Sequence, residues 1–335
     1  KMATFYKRMG KWGVWIRKAY HKPMHKTFVS KQDAQRWAFK TERLIEQGQF
    51  VDMTEANKTT LRTLLARYGR EVSPLKKSRV DKYYIRNICK HNFVDKMLSH
   101  VASSDIAEFR DARLATTSTR GHSKVSGSSV NRELSLISDC INKAITEWKC
   151  FIRENPVKKG IRCKENSRRI RRLRGNEYDL LMGSCKSNRA FWCPIIDFAI
   201  HSGMRRGELL AIRWDWVDFD RKYVTLPPEI TKTERARNVP LQPHAISILK
   251  NMSRSISGRI FPIGIKNFER SWRAICARAG VEGLRFHDLK REAVSRLFEK
   301  GLSVTEVQLF VGNSLTTLGV YTEHDSTTLA EKLAK

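Results

Sequence analysis

Acidic side chains are scarce in this sequence, which has 34 Asp and Glu residues against 64 Lys and Arg residues and a formal net charge of +30. Such an excess of one sign repels itself unless a polyanion neutralises it, and nucleic acid is the usual polyanion. An anionic membrane surface or a ribosome-like partner would also fit the charge. Hydrophobic residues make up 41% of the sequence, which excludes a disordered basic tail.

Long apolar runs and paired cysteines are also missing. No segment approaches the roughly 20 apolar residues of a membrane-spanning helix, and the start lacks the charged-then-apolar pattern of a signal peptide. The 7 cysteines include no C-x-x-C pair and no Cys/His cluster at zinc spacing, so we expect reduced thiols in a cytoplasmic protein. His21 and His25 have an H-x3-H spacing, but Pro23 argues against a shared helical face and so against a metal site.

The N-terminal segment has the pattern of a small sheet followed by a helix. A Gly-centred turn between alternating apolar and basic residues predicts a hairpin, and a third strand is predicted at 26–29. Ser30 followed by Asp33 is typical of a helix start. Because this segment is basic, we expect Lys11 and Arg17 to contact DNA. A protein-docking module with a basic solvent face is the alternative.

The next region has the pattern of a helical bundle that ends in a basic stretch. Apolar residues recur at helical spacing around 61–68 and 130–148, separated by a Gly/Ser/Thr-rich loop at 116–129. A stretch after Pro156 is almost entirely basic and predicts a linker that lies across phosphates; a solvated tether is the alternative. Its candidate DNA contacts are Arg168, Arg169, Arg171 and Arg172.

Four segments in the last third carry the candidate chemistry. They are SGMRRGEL (202–209), TKTERARNVPL (231–241), LRFHDLKREAVSRL (284–297) and LFVGNSLTTLGVYT (309–322). An arginine can hold two phosphate oxygens, and spacings of three residues place side chains on one helical face. A small antiparallel sheet is predicted over 216–241. The candidate catalytic residues are Arg205, Lys232, His287, Lys290, Asn313 and Tyr321.

In that order, the four segments resemble the catalytic boxes of the tyrosine recombinases, the phage-integrase family that cuts and rejoins DNA through a phosphotyrosine. The resemblance implies that Tyr321 is the nucleophile and that Lys232 protonates the departing 5′ oxygen. It implies that Arg205, His287, Lys290 and Asn313 surround the scissile phosphate. No metal and no cofactor are implied.

Two positions depart from the family pattern. Lys290 stands where the family has arginine, so it keeps the charge but loses the bidentate fork. Asn313 stands where the family usually has histidine, and it can hydrogen-bond but carries no charge. A DNA-binding relative with weakened or lost catalysis is therefore one alternative. A type IB topoisomerase is another, although the separate N-terminal unit argues against it.

The resemblance also implies a multidomain α+β architecture, the DNA breaking-rejoining enzyme fold. Its expected domains are an arm-type DNA-binding domain of three strands plus a helix at 1–55, an all-helical core-binding domain at 56–155, a basic linker at 156–174 and a mostly helical catalytic domain with a small antiparallel sheet at 175–335. The expected partners are double-stranded DNA at core and arm-type sites, further copies in a homotetramer, and DNA-bending accessory proteins. The expected location is the cytoplasm, at the nucleoid and not at a membrane.

Overall fold

The computed structural model divides into two compact units, Lys1–Ser167 and Arg168–Lys335. The structure describes residues 3–76, 79–118, 123–165, 171–185, 189–231 and 234–319. In this part of the chain, no helix combines the length and apolarity needed to cross a membrane.

The first unit begins with an antiparallel sheet in the order β1-β2-β3 and a helix packed on one face of it. The Ser30 hydroxyl accepts a hydrogen bond from the Asp33 backbone N–H, as predicted for the helix start. The third strand starts at Met24, earlier than predicted, and Met24 packs against the core under the helix. The elements are β1 (Ala3–Arg8), β2 (Lys11–Ile16), β3 (Met24–Phe28) and α1 (Lys31–Glu46).

The rest of the first unit is the predicted helical bundle. Leu61, Leu64, Leu65 and Tyr68 are all buried, so the predicted apolar face forms the core. The long helix α5 begins inside the segment predicted as a loop, because the Ser126 hydroxyl caps its first turn. The helices are α2 (Leu61–Glu71), α3 (Asp81–Ile88), α4 (Ser103–Ala115) and α5 (Gly127–Thr146), with 3-10 turns at Ser73–Leu75, Asn92–Asp95, Leu98–His100 and Lys159–Ile161.

The second unit is mostly helical around one small antiparallel sheet, in the order β4-β5-β6. Its strands are β4 (Val217–Asp218), β5 (Tyr223–Leu226) and β6 (Arg237–Pro240), preceded by a 3-10 turn at Trp214–Trp216. Its helices are α6 (Glu177–Gly183), α7 (Arg189–Ser202), α8 (Arg206–Ala211), α9 (Pro243–Lys250), α10 (Ile265–Arg278), α11 (Phe286–Glu299), α12 (Val304–Val311) and α13 (Leu315–Leu318).

Local sequence signals account for the ends of the helices that carry the site. Gly301, which follows the C-cap residue of α11, has a φ of 84°, and Ser303 with Glu306 forms a capping box at the start of α12. Gly312 then ends α12 in the left-handed region. The predicted α+β fold, with its three-stranded sheet and helix, helical bundle and mostly helical C-terminal unit, is confirmed.

Candidate active site

Arg205 lies at the N-cap of α8 and is held from two sides. Its Nη1 donates to Glu208 Oε1 at 2.9 Å, and its backbone N–H donates to Glu208 Oε2 at 2.9 Å. Its Nη2 donates to Gly312 O at 2.9 Å and to Asn313 Oδ1 at 3.2 Å. Arg205 therefore precedes the helix, and Glu208, three residues later, reaches back to it.

Glu208 joins Arg205 to a second arginine that the sequence analysis missed. Arg237, at the start of β6, donates from Nη2 to Glu208 Oε2 at 2.8 Å and from Nη1 to Phe310 O at 3.0 Å. Glu208 is only 2% exposed. Burial opposes its ionisation, but the charges of Arg237 and Arg205 and the Arg205 backbone N–H hold its pKa below the ordinary value.

The half-buried Arg237 does not find a hydrogen-bond partner for each of its donors among the described residues. Burial lowers the pKa of its guanidinium, while the charge of Glu208 opposes that shift. Its Nε is buried and has no hydrogen-bond partner among the described residues. The signal that could have found it is the T-K-T-E-R-A-R-N-V-P-L segment itself, which places Arg237 at the start of the strand after the predicted turn.

Lys290 lies inside the protein rather than at the surface. It is 4% exposed, and its Nζ donates to Gly203 O at 2.6 Å and to Val311 O at 2.8 Å. Burial, followed by the positive charge of Arg205, lowers the pKa of this ammonium well below its ordinary value. Lys290 thus ties the loop before Arg205 to the end of α12, and phosphate contact by its ammonium stays a prediction.

His287 is exposed at the start of α11, near the same positive charges of Lys290 and Arg205. Partial desolvation of its ring, with the charges of Arg291 and Lys290, lowers its pKa. The imidazole is therefore neutral at neutral pH and can accept a proton. Arg291 donates to Asp288 Oδ1 at 2.9 Å.

The structure brings Arg205, Lys290 and Asn313 together, and His287 is close enough for the charges of Lys290 and Arg205 to lower its pKa. Lys232 and Tyr321 lie outside the described residues, so their parts in the site stay predictions. The combined geometry places the buried carboxylate of Glu208 among the charges of Arg205, Arg237 and Lys290. Such a site retains positive charge that an anion, such as a phosphodiester, can neutralise.

The predicted DNA contacts outside this site fall into two groups. Lys11 begins β2 and Arg17 directly follows it; both are exposed, and the Arg17 guanidinium lies 5.2 Å from the centre of the Trp15 ring. Arg171 is instead buried in an ion pair with Glu177, and Arg172 pairs with Glu292 and Glu299.

These ion pairs give Arg171 and Arg172 partners within the second unit, so the structure does not present either as a free cation. Arg168 and Arg169 lie outside the described residues. DNA contact by any of these residues stays a prediction.

Comparisons with known proteins identify the family of this chain. A model of the phage integrase family matches residues 171–327. The shufflon-specific DNA recombinase of Escherichia coli is 34% identical over 279 residues, which cover 82% of this chain and 72% of that protein. The chain belongs to the phage integrase family. It is thus a tyrosine recombinase, an enzyme that cleaves and joins DNA, and neither an inactive relative nor a type IB topoisomerase is favoured.

Other similarities agree with this membership. The integrase of Salmonella phage P22 is 29% identical over 192 residues, 52% of this recombinase and 48% of that protein. The fold matches that of the Tn1549 transposon integrase in complex with a circular intermediate DNA, with a TM-score of 0.67 at 15% identity over 82% of this chain and 99% of that one. The structure of a lambda integrase tetramer bound to a Holliday junction matches with a TM-score of 0.59 at 21% identity, over 96% of this chain and 97% of that one.

Proposed function

We propose that this recombinase cuts and rejoins double-stranded DNA at specific sites through a 3′-phosphotyrosine on Tyr321. The Tyr321 phenol oxygen bonds to the scissile phosphorus as the bond from phosphorus to the 5′ oxygen breaks. Lys232 gives a proton to that leaving oxygen, and the neutral His287 accepts the phenol proton. Attack by the 5′ hydroxyl of a partner strand reverses the step without a high-energy cofactor.

One observation carries this proposal. The single carboxylate of Glu208 contacts both Arg205 and Arg237, and its ionised form is further favoured by the charge of the buried Lys290. Positive charge therefore exceeds negative charge at the point where the family boxes meet. Arg205 keeps 26% of its side chain exposed, so it is the member that we propose as the phosphate contact.

Lys290 and Arg237 act, in this proposal, through other residues. Lys290 joins Gly203 O to Val311 O, and these carbonyls flank the segments that carry Arg205 and Asn313. Arg237 joins the end of α12 to Glu208. Each is therefore a positioning residue that fixes where Arg205 and Asn313 meet the phosphate.

The remaining parts of the chain would bind DNA on either side of this chemistry. We propose residues 1–55 as an arm-type DNA-binding domain, 56–155 as a core-binding domain and 156–174 as the connection to the catalytic domain at 175–335. On the sheet of the first domain, Tyr6 and His25 share a hydrogen bond of 2.7 Å beside Trp15 and Arg17. The active species would be a homotetramer on DNA in the cytoplasm, aided by DNA-bending proteins.

The deciding experiment uses nicked suicide DNA built from the sequence that flanks this gene, in the presence of EDTA. We expect an SDS-stable protein–DNA adduct with the wild type and none with Tyr321→Phe, while both bind DNA equally in a gel shift. Tyr223→Phe is the matched control and should form the adduct normally. An adduct that persists in Tyr321→Phe would refute the nucleophile.

A further inference from the structure

A second cluster of chemically capable side chains lies in the catalytic unit, apart from the residues described above. Asp197 and His201 are one helical turn apart on α7, and His244 lies at the start of α9. One ligand atom from each of the three lies within 4.8 Å of the other two. We propose that these residues form a binding site for one divalent transition-metal ion, with Zn²⁺ as the best fit.

The spacing of the donor atoms supports a metal of this size. Tetrahedral Zn²⁺ with nitrogen and oxygen ligands at about 2.1 Å holds its ligand atoms about 3.4 Å apart. His244 Nε2 lies 3.6 Å from Asp197 Oδ2, and the rings of His201 and His244 have centroids 4.5 Å apart. Small side-chain rotations therefore complete a three-ligand site whose fourth position is open to water.

The carboxylate in this cluster is already oriented by a neighbour. The Tyr178 hydroxyl, from α6, donates a hydrogen bond to Asp197 Oδ1. This leaves Oδ2 on the side of His244. Hydrogen bonds of this kind to the outer oxygen are typical of carboxylates that bind metals.

The donor types select among metals. Two imidazoles and one carboxylate suit borderline ions such as Zn²⁺ and Co²⁺ better than Mg²⁺ or Ca²⁺, which favour all-oxygen sites. Arg296 on α11 places positive charge near His201, which opposes any cation. Its Nε, however, is hydrogen-bonded to Glu292 Oε1 at 2.8 Å, so a carboxylate offsets that charge locally.

The position of the cluster indicates what the ion would do. His201 lies four residues before Arg205 on the same chain segment, and α9 with His244 follows the strand that starts at Arg237. Gln242 Nε2 already donates to the His201 backbone O at 2.7 Å between the same two elements. The ion would fasten α7 to α9 and so stiffen both supports of the phosphate site without touching the phosphate.

The test measures metal binding by the full-length chain without DNA and without a histidine tag. After chelator treatment, Zn²⁺ is titrated by calorimetry under reducing conditions, and Co²⁺ is titrated in parallel with its visible absorption as the readout. We expect one ion per chain, a tetrahedral Co²⁺ spectrum and a higher melting temperature with Zn²⁺. Because no DNA is present, the outcome is independent of the recombination mechanism.

Variants locate the ion. His244→Ala removes an exposed ligand with little risk to folding and should weaken Zn²⁺ binding by more than about 100-fold, whereas Tyr178→Phe should weaken it about 10-fold. His100→Ala, an exposed histidine in the other unit, should bind as the wild type does. Absence of binding in the wild type, or binding unchanged in His244→Ala because cysteines hold the ion, would overturn the proposal.

Discussion

Glu133 in the helical bundle and Glu208 in the catalytic unit of this recombinase are both buried against arginine, and the two sites differ in their balance of charge. In the helical bundle, Glu133 is 1% exposed and receives Arg113 Nε at 2.7 Å and Nη2 at 2.9 Å, with Asn87 Nδ2 at 3.2 Å. One carboxylate there meets one guanidinium. In the catalytic unit, Glu208 meets two guanidiniums and lies in the field of a buried ammonium.

The difference separates a structural ion pair from a binding site. A balanced, fully hydrogen-bonded pair has no need of a further ion, and removing one partner mainly leaves a buried charge without compensation. A cluster with excess positive charge is stabilised by any anion that reaches it. Glutamate and arginine therefore stabilise the packing of helices in one unit, whereas in the other they form a site that can bind a phosphodiester.

The largest effect should come from removing one arginine from each cluster. Arg205→Ala should slow adduct formation on suicide DNA by at least about 10²- to 10³-fold, because a donor to the developing phosphate charge is lost. Arg113→Ala should instead lower the free energy of unfolding by about 3–5 kcal/mol. Its cleavage rate per folded molecule should stay normal. Equal cleavage defects in the two variants would contradict the distinction.

Neutralising the two glutamates should give the next largest effect. Glu208→Gln and Glu133→Gln keep the side-chain shape but each leaves cations uncompensated, which should destabilise the protein by about 3 kcal/mol. Added sulfate should restore the melting temperature of Glu208→Gln, because the anion replaces the lost charge beside Arg205. Sulfate should hardly change the melting temperature of Glu133→Gln, because solvent does not reach that cluster. Equal responses of the two variants to sulfate would show that neither site selects an anion.

Lys290→Met should have a smaller effect, and one that depends on pH. The variant leaves Gly203 O and Val311 O without the ammonium donor, which we expect to cost about 2 kcal/mol at neutral pH. In the wild type, burial lowers the folded-state pKa of Lys290 below the ordinary 10.5. Between that lowered pKa and 10.5, the unfolded chain binds more protons, so wild-type stability gains a positive slope with rising pH.

Lys290→Met lacks this group and should lose that slope. Denaturant unfolding of both proteins over the alkaline range measures the difference. Lys250→Met, a change at an exposed lysine on α9, is the control and should keep the wild-type slope. Parallel curves for the wild type and Lys290→Met would show that the buried ammonium keeps an ordinary pKa.

Sequence reasoning succeeded where the partners lie within one helical turn. The pairing of Ser30 with Asp33 at the start of α1 follows from a spacing of three residues. The apolar face of α2 follows from the helical period. Such signals fix helices and caps because both members of each pair are read from one short segment.

The missed contacts join segments that are far apart along the chain. Arg237 on β6 donates to Glu208 on α8, and Lys290 donates to carbonyls on the α7–α8 loop and at the end of α12. No local period encodes these pairings. The charge run before residue 175 was ambiguous for a related reason. A run of basic residues suggests unpaired cations, but Arg172 forms ion pairs with Glu292 and Glu299 on α11.

The smallest predicted effect comes from alanine at Gly312, which tests whether cleavage depends on the position of the Arg237 side chain. Gly312 has a φ of 63°, and a Cβ there would lie 2.9 Å from Arg237 Nε and 3.1 Å from its Cδ. Gly280 has nearly the same φ, 64°, but no atom within 4 Å of the added Cβ. Alanine at either position should cost about 1 kcal/mol of stability, because both adopt the left-handed conformation.

Only Gly312→Ala should also displace the Arg237 guanidinium from Glu208, since Nη1 and Nη2 are both fixed and the side chain cannot retreat without breaking a hydrogen bond. We expect its adduct formation to fall about 10-fold, which corresponds to about 1.4 kcal/mol of transition-state stabilisation. Gly280→Ala should cleave normally at the same loss of stability. If both variants cleave alike, the position of Arg237 does not limit the reaction, and Arg205 alone accounts for the excess charge that distinguishes this cluster from the one around Glu133.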